Sequence, residues 1–132
     1  MSTWRRKAIE FLPQFRNEID KSARASYLWV EISEKFCQAV ETEDLWFIEG
    51  TLKYLVWSFS DEAGLEAQQA VNCGFLEDIA SNKKLWNCFS KWFSPAQFRQ
   101  YKGSFQYALS AEDFSKLEAV FYENGQAYSE RN

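Results

Sequence analysis

The chain has 132 residues and a mass of 15.5 kDa, enough for one domain that closes a core without a metal or a disulfide. Apolar residues make up 46% and aromatics 18%, which excludes disorder as a class, and the absence of histidine removes the commonest general base and metal ligand. The net charge of −4 averages a very uneven distribution. Residues 31–78 hold eleven acids against Lys35 and Lys53, while 1–30 and 79–117 are each net basic. An acid-rich middle segment repels nucleic-acid phosphate and attracts a basic protein, unless it simply forms solvated helix faces.

The start is basic, Trp4-Arg5-Arg6-Lys7, but lacks the apolar run of about 7–15 residues that a secretory or twin-arginine signal carries. No stretch approaches the roughly 20 apolar residues of a membrane helix, so no membrane partner is expected. Cys37, Cys73 and Cys88 are odd in number and widely spaced, with no Cys-x-x-Cys pair. They read as three small buried hydrophobes in a reducing cytoplasm.

Helical spacing of apolar residues recurs from end to end. The first helix spans 4–11, with a kink or break at Pro13 before it resumes through Phe15 and Ile19. The second spans 27–40, capped by Ser26 and buried along Leu28, Ile32 and Phe36. The third, 43–59, is apolar on most sides and therefore expected to be central, with Leu45, Ile48, Leu52, Leu55 and Phe59 on one continuous face. Its remaining side carries Trp46, Glu49, Gly50, Lys53 and Trp57 within about a quarter-turn. Two indoles flank a glycine there, which gives either a shallow aromatic groove or a close helix crossing at Gly50.

A fourth helix, 63–80, places Gln68 and Asn72 in an apolar stripe, as partnered core amides or as polar handles in a cleft. A fifth spans 83–93. Ser94-Pro95-Ala96-Gln97 then reads as a capping box opening a short helix that stops at Gly103, followed by an extended link or a tight connection over 104–109. Ser110 caps the last helix, which carries Phe114, Leu117 and Phe121 and ends at Asn124-Gly125. No strand pattern is present. The fold class is all-α, a compact bundle of five to seven antiparallel helices with short loops. Residues 1–132 form a single helical domain, frayed over 1–7 and 126–132.

Chemistry is sparse. Neither phosphate-binding glycine loop occurs, and without histidine no Ser-His or Cys-His pair exists. The close carboxylate sets, Glu41-Glu43-Asp44 and Asp61-Glu62-Glu66, flank helix starts, where the helix dipole favours them. Glu62 and Glu66 lie four apart but have no third ligand at a fixed spacing. The lysines of 83–102 are interleaved with aromatics that follow core spacing, so nucleic acid is not expected as a partner. No catalytic residue, cofactor or metal is assigned.

Tyr27-Leu28-Trp29-Val30-Glu31-Ile32, together with Trp57, Trp92-Phe93-Ser94-Pro95, Phe105-Gln106-Tyr107 and Phe114-x-x-Leu117-x-x-x-Phe121, resembles a family of small uncharacterised bacterial all-helical proteins. Some of these look like immunity proteins encoded beside polymorphic toxins. The resemblance spans about residues 8–125; the basic start at 4–7 departs from it. It implies an all-helical, non-enzymatic protein; with the cysteine and charge readings this gives, as the leading expectation, a cytoplasmic immunity protein, monomeric or in a 1:1 complex with a cognate toxin, that covers the toxin's active or target-binding site. On the residues themselves, the charged contact set is Glu41, Glu43, Asp44, Glu49, Asp61, Glu62 and Glu66, with Trp46, Trp57 and Lys53 as anchors. The alternative is a helical adaptor or small-ligand-binding module with no toxin partner.

Overall fold

The computed structural model describes residues 1–131, with side chains through Gly125. The expected fraying of 126–132 lies outside the described side chains. The fold is all-α, and no strand occurs among the described residues. The helices are α1 (Thr3–Phe11), α2 (Arg16–Lys21), α3 (Ala25–Thr42), α4 (Leu45–Ser58), α5 (Gly64–Val71), α6 (Glu77–Ser81), α7 (Phe89–Trp92), α8 (Pro95–Ala108) and α9 (Ala111–Arg131). Five to seven helices are matched only roughly, because short 3-10 and π turns divide the longer runs. The chain forms two compact units, Met1–Phe75 and Leu76–Asn132.

In the first unit, α3 packs against α4 and α5, and α1 against α2 and α4. Its core is aromatic. The Trp29, Tyr54 and Trp57 rings stack in sequence, with centroids 5.0 and 5.9 Å apart, and Phe75 lies between Trp29 and Phe36. The start expected to fray is helical from Thr3. It is tied down at both sides: the Arg5 guanidinium donates to the Ile19, Asp20 and Ser22 carbonyls, capping the end of α2, and the Tyr54 hydroxyl donates to the Trp4 carbonyl at 3.0 Å. Pro13 breaks the first helix as expected, with a 3-10 turn over Pro13–Phe15.

Two expectations about α3 and its successor change. The cap of α3 is Arg24, with no side-chain bond, rather than Ser26. The α4 stripe also rotates. Phe47, Ile48, Tyr54 and Leu55 are buried, but so are Thr51 and Ser58, while Leu45 and Val56 are exposed. The inward hydroxyls donate to their own helix, Thr51 to the Phe47 carbonyl and Ser58 to the Tyr54 carbonyl, each at 2.8 Å. A hydroxyl satisfied this way sits in a core at little cost, so hydropathy alone misplaces the buried face.

The helix over 63–80 is present but interrupted by a π turn at Asn72–Leu76. Such a turn widens the helix and frees a carbonyl; the Ser33 hydroxyl donates to that of Gly74. A Cβ on Gly74 would lie 2.8 Å from the Trp29 Cβ, so this close approach requires glycine.

In the second unit, α6 packs on α8, and α7 and the 3-10 turn Lys83–Cys88 pack on α9. Phe89, Phe93, Phe98 and Phe105 form its core, with Phe98 stacked on Phe121 at 4.2 Å. The capping box at Ser94 is complete: Gln97 N–H donates to Ser94 Oγ at 3.1 Å, and Ser94 N–H to Gln97 Oε1 at 2.9 Å. Ser110 caps α9 through the Asp113 N–H at 3.1 Å. The helices do not stop at Gly103 or Gly125, however. α8 runs to Ala108, so 104–108 is helix and not an extended link, and α9 continues through Gly125. Phe98, Tyr101 and Phe105 continue one buried stripe across Gly103, and that packing outweighs the roughly 1 kcal/mol a helical glycine costs. The cysteine expectation also fails: Cys37 and Cys88 are half-buried and Cys73 is exposed.

Candidate functional site

The nominated residues all fall in the first unit, on the end of α3, on α4 and around the start of α5. At the α3–α4 junction the chain reverses in a Schellman turn. Asp44 N–H reaches the Ala39 carbonyl at 2.8 Å and Glu43 N–H the Val40 carbonyl at 3.4 Å, with Glu43 left-handed at φ 57°. Asp44 then caps α4 by accepting from the Phe47 N–H at 3.2 Å. Two of the nominated carboxylates therefore have local backbone work, Glu43 by conformation and Asp44 by side chain. Glu43 and Glu41 remain exposed and Asp44 half-exposed.

On α4 the indole pair is split. Trp46 is 69% exposed, whereas Trp57 is 9% exposed, the outer ring of the Trp29–Tyr54–Trp57 stack. Trp57 Nε1 points to Glu62 Oε2 at 3.5 Å. The two indoles therefore do not form an exposed pair: Trp46 is on the surface and Trp57 is almost wholly buried. Between them Gly50 is a close crossing: a Cβ there would overlap the Phe11 carbonyl oxygen and lie 2.8 Å from Leu12 Cδ2. A groove does lie beside that crossing, but Trp46, Glu49 and Gly50 are not part of its lining. Phe11, Leu52, Lys53, Val56 and Trp57 line an open apolar groove of about 420 Å³.

Asp61, Glu62 and Glu66 are exposed, as are Glu49 and Lys53. Among the described residues none of Glu41, Glu43, Asp44, Glu49, Asp61, Glu62 and Glu66 is paired with a lysine or arginine. Carboxylates elsewhere do pair: Glu10 with Lys7, Asp20 with Arg16, Asp113 with Lys83. The central acidic charge is uncompensated.

Among the described residues no group of three acids or cysteines is placed to hold a metal ion. Burial raises the pKa of the Tyr54 and Tyr101 phenols above the ordinary value. Gln68 and Asn72 are half-exposed, so neither is a fully buried core amide. Sequence reasoning missed the exposed apolar residues Leu45, Val56 and Leu65; a signal lay in Thr51 and Ser58, whose spacing from Phe47 and Tyr54 marks the true inner face. No helix among the described residues is long and apolar enough to cross a membrane. Comparison with family models, curated proteins and solved structures finds no match to this chain.

Proposed function

We propose that this chain is an immunity protein that binds a cognate antibacterial toxin and neutralises it by covering the toxin's active or target-binding site. In this reading it acts in the cytoplasm, as a monomer that forms a 1:1 complex, with no catalytic step of its own. The observation that carries the reading is the uncompensated acidic surface around an exposed Trp46. Toxin domains that act on nucleic acids or nucleotides have basic clefts, and an unpaired acidic face is suited to plug one. Complementary charge also speeds capture, which matters for an inhibitor that must act before damage accumulates. An exposed indole amid carboxylates is the composition of an interface hot spot within a polar rim.

The test is co-expression. Cells producing the toxin encoded beside this gene should grow when the chain is present, and the two proteins should purify together in equal amounts. Growth arrest that the chain does not relieve would sink the proposal. A helical adaptor without a toxin partner is favoured by one observation, the apolar groove beside Gly50; purified protein that retains a small molecule in that groove would support it instead.

A further inference from the structure

We infer that the outer face of α4 is a helix-docking groove, and that its occupant is an amphipathic helix of the partner protein carrying an apolar stripe and basic flanks. The inference deepens the toxin-binding reading, and rests on it for the protein that supplies the helix.

Leu45, Trp46, Glu49, Leu52, Lys53 and Val56 fall within about a third of the helix circumference at 100° per residue. Leu45 is 66% and Val56 50% exposed, beside Trp46. This largely apolar strip runs from Leu45 to Val56, twelve residues, about 17 Å at 1.5 Å per residue. The groove against Phe11 lies along its second half. Its length suits about three turns of a partner helix, whose side chains at i, i+3, i+4 and i+7 would enter it.

Charge selects the occupant. Glu43 and Asp44 stand before α4, Glu49 lies in the middle of its exposed face, and Asp61 and Glu62 follow it, none with a cationic partner among the described residues. On α1, Lys7 stands one turn before Phe11 and is neutralised by Glu10 at 3.2 Å. Lys53 is the lone cation that lines the groove. An apolar floor with acidic ends favours a helix flanked by lysine and arginine and disfavours an acidic one.

The probe is a dye-labelled, amidated peptide of about 14 residues, with leucine at i, i+3, i+4 and i+7 and lysine elsewhere, beside a copy with glutamate for every lysine. Fluorescence anisotropy with the full chain should show binding of the lysine peptide and little of the glutamate one. Val56→Asp, its folding verified by circular dichroism, should weaken binding about tenfold or more, as loss of a buried apolar contact does. Lys53→Glu should tighten binding and Glu49→Lys weaken it, by a few-fold in opposite directions. Equal binding of the two peptides, or indifference to all three substitutions, overturns the inference. So does a concentration-dependent dimer of the chain alone that Val56→Asp dissolves, since the occupant is then a second copy. The two readings fail separately. If Val56→Asp protects cells as well as the parent chain, the groove is wrong and immunity stands. If the parent chain fails to protect while the peptide obeys the substitutions, immunity is wrong and the groove stands.

Discussion

Glu43 and Tyr54 show how single residues here carry strain and protonation. Glu43 holds φ 57°, a left-handed conformation that side chains with a Cβ adopt at a cost of roughly 1–2 kcal/mol. Glycine adopts it freely but loses more entropy on folding, so Glu43→Gly should stabilise the chain by about 0.5–1 kcal/mol. A rise in the urea midpoint with an unchanged slope would show it. If Glu43 is also a toxin contact, the same variant should bind more weakly while folding more firmly. Tyr54 makes the opposite kind of contribution. Its buried phenol donates to the Trp4 carbonyl, and burial raises its pKa well above the ordinary 10.0. Above about pH 10 the unfolded chain releases that proton and the folded chain keeps it, so the unfolded state binds fewer protons and stability falls as pH rises. Tyr101, raised in the same direction, adds to the fall. Tyr54→Phe should lower stability near neutrality by about 1 kcal/mol through the lost hydrogen bond, yet make the decline above pH 10 shallower. Urea midpoints measured from pH 8 to 11 for both proteins check the sign.

Two glycines in helix interiors have opposite roles at the scale of the elements. In α4, Gly50 meets the end of α1, and a methyl group there collides with the Phe11 carbonyl, which is backbone and cannot swing aside. In α8, a methyl group on Gly103 meets open space. Gly103→Ala should therefore stabilise by about 0.5–1 kcal/mol, the helix-propensity difference, while Gly50→Ala should destabilise by about 1–3 kcal/mol despite the same propensity gain. Equal shifts in melting temperature for the two would contradict the crossing. The same pair shows what was legible in the sequence. The crossing at Gly50 could be read because aromatic neighbours on one helix face mark a tight contact, and the caps at Ser94 and Ser110 because capping is a local hydrogen-bond code. Gly103 reads as a stop but is none, because a glycine's local preference is worth only about 1 kcal/mol and the stripe through Phe98, Tyr101 and Phe105 overrides it. The π turn at Asn72–Leu76 has no local signal beyond Gly74, whose need for glycine comes from Trp29 far away in sequence.

Over the whole molecule, the aromatic content and the charge have separate destinations. Most rings go to the interior of one unit or the other, which is why the class all-α was readable from spacing alone. The charge does not divide evenly. Residues 1–75 hold twelve acids against eight bases, while 76–132 hold seven of each, so the whole excess of −4 belongs to the first stretch. The candidate surface was legible as a charge run but not as a surface, since only the fold shows that Asp44 is a cap, that Trp57 is stacked inward and that Glu62 faces its indole. This sharpens the test of charge-steered capture. Reversing Asp44 or Glu62 would disturb a helix start or a ring contact as well as the field. Glu41, Asp61 and Glu66 are exposed, with no such side-chain attachment among the described residues, and their reversal costs only the favourable helix-dipole position of Glu66 in the first turn of α5. Replacing these three with lysine removes three negative charges and adds three positive ones. Association with a basic toxin should slow by about tenfold or more at low ionic strength, and the gap should narrow as salt shortens the screening length toward about 8 Å. Dissociation should change less, because steering acts on the approach, whereas the lifetime of the proposed complex would rest on the contacts inferred for Trp46 and the α4 groove. Stopped-flow association at two salt concentrations separates these effects. An unchanged association rate would remove the acidic surface from the mechanism of capture and leave the apolar face of α4 as the whole of the interface.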